Sequence, residues 1–497
     1  MKLTINNDTG YFKDYYFQTL CLLYFPGEKF GVNDEDENEA SFRLEKIKGT
    51  ENGYECEVVL RSGDKTSKAS FRAENYVPAI PMKADFYPTN ALGKAFLEAG
   101  KQLFGFGLPW GYLTGLRPVK RAKYYLDRGY SEEEVKALFI NDYCVFPEKA
   151  SLSVETASTE IKMLGGVGEN ACGMYISIPF CPTRCDYCSF VSYSNDKLFK
   201  LIPAYLERLK TDIIRTGALI KELGMDLKAI YIGGGTPSIL DPYQIDSLLS
   251  TIEHSVEIGS DTEFTFEGGR PDTLTEEKLR AVRSHGVRRI SINPQSTSDA
   301  VLTRIGRKHT VKQFFDACET AKKIGFDTFN ADLIAALPGD TAETFAKSLD
   351  DVISLGFENI TVHTLSIKNA APIRFLGDGY YDPEGDLARE SVSYAKKTLA
   401  SASLYPYYLY RQKNTVGNAE NTGYAVRNKE NLYNVLMMEE YSTVFACGAG
   451  AISKFVNPAR DDIYRLAFPK YPFEYLREDK GIGREEAIDF FAKYRKD

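Results

Sequence analysis

From residue 173 onward the chain alternates between two hydrophobic periods, and this alternation constrains the fold more than any other feature. Short apolar runs MYISIPF (174–180), LKAIYI (227–232), TEFTFE (262–267), RRISIN (288–293), DTFNADLI (327–334) and ENITVHTL (358–365) read as strands. Between them lie helical stretches at about 198–224, 243–256, 275–285, 311–324 and 341–355. Consecutive strands separated by helices pair in parallel, because a parallel partner needs a long crossover. Six repeats are too few to close an eight-fold barrel, so an open, partial one is expected. In the stretch 311–324, Val311, Phe314, Phe315, Cys318 and Ile324 share one helical face. Cys318 is therefore read as core.

The flanking regions follow other patterns. Residues 1 to about 85 alternate apolar and polar positions, and SFRLEKIKG and YECEVVLRSG are separated by ENG, a hairpin signal. Residues 89–166 read as helical, with Ser131 and Glu134 spaced as a capping box. The expected division is an N-terminal α+β domain over 1–165, a partial (β/α)6 barrel over 170–366 and a mixed, partly helical C-terminal region over 367–497. That last region opens on FLGDGYYDPEGD, carries YPYYLYRQKN and the turn ACGAGA, and ends in a helix starting near Arg484.

Composition excludes several functions. The net charge is −8 with acidic and basic residues interspersed, so neither a nucleic-acid surface nor a polybasic membrane patch is expected. There is no 18-residue apolar run, so no membrane insertion is expected, and the start MKLTINNDTG is too polar for a signal peptide. The chain reads as cytoplasmic. Nine cysteines, mostly scattered, argue against a disulfide framework.

Three of those cysteines break the scatter. Cys181, Cys185 and Cys188 stand in one short loop straight after the first barrel strand. Clustered thiolates select zinc or an iron–sulfur cluster. A structural zinc takes four ligands, yet no fourth Cys or His lies nearby in sequence, and the four histidines come later, at 254, 285, 309 and 363. Three thiolates on a four-iron cluster leave one iron open to an amine and a carboxylate, a pair that S-adenosylmethionine (SAM) presents. The loop follows a strand C-terminal end, where barrel active sites form. One strand later, LKAIYI runs into Gly233-Gly-Gly-Thr-Pro237. Such a turn lets backbone approach a ligand closely, and it fits neither a Walker loop nor a dinucleotide fingerprint.

Together these residues resemble the radical SAM superfamily. The finer pattern is similar to the oxygen-independent coproporphyrinogen III dehydrogenase family: YISIPFC, GGGTP, EFTFEGGRPD, SINPQS, IGRKHT and DLIAALPGDT match its motifs in order over about 174–366. LPWGYLTGLRPVK, YLYRQKN and the GAGA turn look most like its HemZ-type subgroup. The resemblance implies a [4Fe-4S] cluster on Cys181, Cys185 and Cys188, and one or two SAM molecules. The SAM contacts it implies are Tyr175, Tyr187, Gly234, Gly235, Thr236, Glu267, Gln295, Arg307 and Asp332, with Tyr175 and the three cysteines as catalytic residues.

The implied reaction is oxidative decarboxylation of coproporphyrinogen III propionates to vinyl groups, giving protoporphyrinogen IX in anaerobic heme biosynthesis. The cluster takes its electron from a donor such as flavodoxin or ferredoxin. A tetrapyrrole with four carboxylates needs cations, and the candidates are Arg117, Lys120, Arg411 and Lys413. The bland reading of the stretch around Arg117 is a solvated helix start beside the packed Trp110, the only tryptophan. The region 367–497 is expected on the substrate side. Other readings are a heme chaperone of the same fold, favoured by Phe190 where a fourth family cysteine commonly stands, another radical SAM reaction on a tetrapyrrole, and a non-enzymatic metal scaffold.

Overall fold

The computed structural model describes residues 1–31, 37–74, 76–115, 117–189, 193–368, 370–376, 385–477 and 481–494. They divide into two compact units, Met1–Ser158 with Tyr410–Asn414, and Thr159–Leu409 with Thr415–Asp497. Phe190 and most of the loop expected over 375–386 lie outside the described residues.

The first unit is built on a sheet of β1 (Lys2–Asn7), β2 (Asn38–Lys46), β3 (Tyr54–Ser62) and β4 (Lys65–Arg72), in that spatial order. β1 runs parallel to β2, and the other pairs are antiparallel hairpins. Alternation sets the buried face: Tyr54, Cys56, Val58 and Leu60 of β3 are all buried, and the helix Phe86–Phe104 packs over this sheet. A short helix, Asp14–Cys21, interrupts the region read as β-rich. Ser131 caps the helix Glu132–Ala137 as expected: its hydroxyl accepts the Glu134 N–H, and the Glu134 carboxylate accepts the Ser131 N–H at 2.8 Å. The compact boundary falls inside the helix Pro147–Leu164.

The second unit carries all six expected barrel strands: β5 (Ala171–Ile178), β6 (Asp226–Gly234), β7 (Glu263–Gly269), β8 (Arg289–Ile292), β9 (Thr328–Ala335) and β10 (Asn359–Thr364). Each pairs in parallel with the next. The remaining strands are β11 (Tyr405–Tyr410), β12 (Asn421–Ala425), β13 (Thr443–Cys447), β14 (Ile452–Val456) and β15 (Ile463–Ala467). They extend the same sheet at both ends, in the order β11-β12-β10-β9-β8-β7-β6-β5-β13-β14-β15, and β13 adds a seventh parallel neighbour beside β5. The sheet is an open, partial barrel. Residues 367–497 thus divide between sheet extensions in this unit and a five-residue piece packed with the first.

Each barrel strand has a helix-facing side and a lumen side. On β5, Cys172, Met174, Ile176 and Ile178 join the core, while Tyr175 lies on the alternate face. Cys318 is fully buried with Phe314, Ala317 and Ala321 on one helix face, as its spacing required. The N-terminal ends of the strands are closed by residues 429–433. The Glu263 carboxylate accepts the N–H groups of Leu432 and Tyr433 at 2.9 and 3.1 Å. Arg289 donates to the carbonyls of Lys429 and Glu430 at 3.0 and 2.7 Å. No helix among the described residues is long and apolar enough to cross a membrane.

Candidate active site

The three-cysteine loop leaves the C-terminal end of β5 and is tied at its base. Phe180 is fully buried, with its ring edge-on to Tyr205 at 5.2 Å. The Cys181 N–H donates to the Tyr193 carbonyl and the Tyr193 N–H to the Pro179 carbonyl, both at 3.0 Å, so the loop closes where it begins. Further out, the Asp186 N–H donates to the Ile305 carbonyl at 3.1 Å, the Ile373 N–H to the Asp186 carbonyl at 2.8 Å, and the Cys188 N–H to the Cys185 carbonyl at 3.1 Å. Arg270, locked onto Asp272 through Nε and Nη2 at 2.9 and 2.8 Å, donates from Nη1 to the Thr183 hydroxyl. Backbone and charge thus fix the loop before any ligand binds. Cys181 and Cys185 are buried, Cys188 is half-buried, and none of the three is in a disulfide. Among the described residues, no three His, Cys, Asp or Glu side chains converge on a single point as one metal ion requires.

The glycine turn after β6 lies against this loop. Gly235 N–H donates to the Ile178 carbonyl and Thr236 N–H to the Phe180 carbonyl, both at 2.8 Å. The Thr236 hydroxyl donates to Cys181 Sγ at 3.3 Å. A methyl group on Gly235 would come within 2.6 Å of the Phe180 carbonyl and 3.0 Å of Cys181 Sγ. Gly234, at φ +115°, uses a conformation that side chains rarely adopt. With these N–H groups engaged on the end of β5 and on Phe180 just beyond it, what the turn offers a ligand is its carbonyls.

Arg307 spans the opposite side. Its Nη1 donates to the Tyr187 hydroxyl at 3.1 Å and reaches Cys185 Sγ at 4.0 Å, while Nη2 donates to the carbonyls of Asn293 and Gly269. Its Nε is buried without a partner. Gln295 holds φ +66°, its N–H donates to the Asp332 carbonyl at 3.0 Å, and its buried Oε1 has no partner. Asp332 accepts from Asn330 at 3.1 Å and lies 3.9 Å from His363. Burial pushes the Glu267 carboxyl up to about 8, with the negative charge of Asp332 adding to it. The Gly234 N–H, Arg307 and the Tyr231 hydroxyl oppose that rise without cancelling it.

Other residues join this site without having been singled out in the sequence. Tyr231 pairs in register with Tyr175, and both rings stack with Tyr433, the tightest pair being Tyr231 and Tyr433 at 4.7 Å. The strand pattern places Tyr231 beside Tyr175, whereas Tyr433 comes from the closing segment and has no local signal. His309 is buried with both ring nitrogens unpartnered, and burial with the charges of Arg307 and Arg270 holds it neutral, down to about 2. The GAGA turn braces β5: the Ser177 hydroxyl donates to the Ala449 carbonyl at 3.0 Å, and the Tyr205 hydroxyl joins the Ala449 N–H to the Ser177 carbonyl.

The four cations expected to meet substrate fall in the first unit. Arg411 is buried, donates to the Leu113 carbonyl at 2.5 Å and lies 5.5 Å from the Trp110 ring centre. Lys413 reaches the hydroxyl of Tyr15, with its amine 5.1 Å from that ring's centre. Arg117 is half-buried at the start of the helix Pro118–Leu126, and Lys120 on it is exposed.

Residues 175–352 match the radical SAM superfamily model. The chain is 35% identical over 393 residues to the oxygen-independent coproporphyrinogen-III oxidase-like protein HemZ of Bacillus subtilis, covering 78% of each chain. The chain belongs to the radical SAM superfamily, in its HemZ-like group. It is also 37% identical over 195 residues to the heme chaperone HemW of Bacillus subtilis, covering 39% of this chain and half of that one. Among solved structures, the radical SAM enzyme HemN, coproporphyrinogen III oxidase from Escherichia coli, shares the fold at a TM-score of 0.51 and 21% identity, over 65% of this chain and 72% of that one.

Radical SAM membership implies a [4Fe-4S] cluster and SAM, and the residues present fit both. Three thiols on one braced loop, none in a disulfide, supply the donor set. The cradle at Gly235, with no space for a methyl group, and the unpartnered Gln295 Oε1 provide close backbone and a waiting acceptor.

Proposed function

We propose that this chain decarboxylates the propionates of coproporphyrinogen III to vinyl groups as a radical SAM oxidoreductase, giving protoporphyrinogen IX. The observation that carries the reading is a braced three-thiol loop packed against a glycine cradle, in a chain 35% identical to a coproporphyrinogen-III oxidase-like protein along most of its length. Cys181, Cys185 and Cys188 hold the cluster. The cluster with SAM supplies hydrogen-atom abstraction from an unactivated carbon.

The chain's own residues do the rest. The carbonyls at Gly234 and Gly235 accept the SAM amine, and Arg307 pairs with its carboxylate. Glu267 and Asp332 bond amine or ribose hydroxyls, Gln295 accepts with its spare Oε1, and Tyr187, fixed through its hydroxyl by Arg307, offers a ring face. Thr236 orients Cys181 through its hydroxyl, and Tyr175 packs at the lumen wall with Tyr231 and Tyr433. Segment 429–433 closes the lumen floor and excludes water, which a reactive carbon radical requires. Arg117, Lys120, Arg411 and Lys413 are proposed as carboxylate partners, with residues 170–366 as the catalytic core and 367–497 on the substrate side. One or two SAM molecules, a flavodoxin or ferredoxin donor and a cytoplasmic location complete the reading.

The test is anaerobic: reconstituted protein, SAM, dithionite and coproporphyrinogen III, with tetrapyrrole masses read out. Protoporphyrinogen that is lost in Cys181→Ala supports the proposal. A heme chaperone is the second reading, favoured by the likeness to HemW over 195 residues. It is supported instead by stoichiometric heme binding with coproporphyrinogen left intact.

A further inference from the structure

The cluster loop meets solvent at a rim of unusual composition. Three segments of the second unit touch there: residues 182–188, 304–308 and 370–376. The Asp186 N–H bonds the Ile305 carbonyl, the Ile373 N–H bonds the Asp186 carbonyl, and Arg184 Nη2 donates to the Ala370 carbonyl at 2.7 Å. These segments carry five basic residues, Arg184, Arg304, Arg307, Lys308 and Arg374, against one acid, Asp186, in a chain whose net charge is −8. Arg184, Arg304, Lys308 and Arg374 are exposed. Beside them Phe375 is 78% and Leu376 46% exposed. Single exposed apolar residues are ordinary, but an adjacent pair among arginines has the make-up of an interface centre.

The reading given above needs an electron from outside the chain. We propose that this rim docks an acidic one-electron carrier protein, which is oxidised by one electron as the cluster on Cys181, Cys185 and Cys188 is reduced by one. The inference rests on the radical SAM reading of the three cysteines and adds the surface through which it is served. Charge complementarity selects the partner: a locally cationic rim on an anionic chain attracts an acidic protein and steers its approach. Phe375 and Leu376 supply the desolvated centre. The first of these segments is part of the cysteine loop and the other two bond to it directly, so a protein seated there stands next to the cluster.

The test uses the full chain and a bacterial flavodoxin as the acidic probe. Binding of the oxidised probe is titrated against ligand-free protein, which needs no cluster, at low and high salt. Cluster bleaching is then followed by stopped flow with the two-electron-reduced flavodoxin (its hydroquinone) and, separately, with dithionite, which needs no docking. The triple variant R184E/K308E/R374E is expected to weaken binding and slow bleaching by flavodoxin at least about tenfold at low salt, with the dithionite rate unchanged. Phe375→Ala is expected to weaken binding by about tenfold at both salt levels. Equal binding and equal flavodoxin rates in wild type and both variants overturn the proposal. So does a loss of coproporphyrin binding in the triple variant with flavodoxin binding intact, which reassigns the rim to substrate. Failure of dithionite to bleach wild-type protein rejects the radical SAM reading instead, and the binding arm still decides whether the rim docks an acidic protein.

Discussion

Gly235 and Glu267 show how single residues set the chemistry. At Gly235 the β6 end and the cysteine loop approach so closely that a methyl group would press on the Phe180 carbonyl and Cys181 Sγ. Backbone on one side and a cluster ligand on the other cannot yield cheaply. Gly235→Ala is expected to lose about 1–3 kcal/mol in denaturant unfolding and most of its bound iron. Gly166→Ala, where nothing lies within 4 Å, is expected to change neither. Glu267 makes a pH prediction. Its carboxyl rises from an ordinary 4.5 to about 8 in the folded chain. Between those values the unfolded chain has released this proton while the folded chain retains it, so folding loses stability as pH rises through that window. Ligand-free Glu267→Gln, which cannot ionise, should therefore gain melting temperature relative to wild type from pH 5 to pH 8. Parallel melting curves would contradict the raised value.

At the scale of elements, strand ends hold the site and helices hold the strands. Phe180 joins the two: it roots the cysteine loop and packs on Tyr205 from the helix Ile202–Glu222. Phe180→Ala is expected to cost about 3–5 kcal/mol and to lower iron content together with the unfolding midpoint. All six barrel strands were legible because each is a short apolar run between amphipathic helices, and Cys318 was legible from its helical spacing. β13 was not. TVFAC is five residues followed by a Gly-rich turn, and what makes it a barrel strand is its pairing with β5, 271 residues earlier in the chain. The helix Asp14–Cys21 was missed because DYYFQTLC is too short and aromatic to show a clear period. Local pattern reveals elements; it does not reveal which distant element completes a sheet.

For the whole molecule the same division holds. The cysteines and the glycine turn were legible from their spacing and from their place after two successive strands, whereas Glu267 and Asp332 entered only through the family resemblance. His309 stood inside a quoted motif, yet its isolation between Arg307 and Arg270 exists only once the loops are folded. Tyr433 joins the lumen from a segment that carries no motif. The proposed substrate cations define the largest remaining test of scale, since all four belong to the first unit while the cysteines belong to the second. Arg411→Ala is expected to raise the coproporphyrinogen KM about tenfold or more while SAM binding, read by titration, stays unchanged. An unchanged KM and turnover would remove Arg411 from substrate recognition. The central claim is that the cysteine site takes hydrogen from a tetrapyrrole propionate. Coproporphyrinogen III deuterated on its propionate side chains tests this most directly, with mass analysis of the nucleoside released from SAM. The account predicts 5′-deoxyadenosine carrying deuterium, formed in step with vinyl groups. Unlabelled 5′-deoxyadenosine beside intact coproporphyrinogen would contradict it.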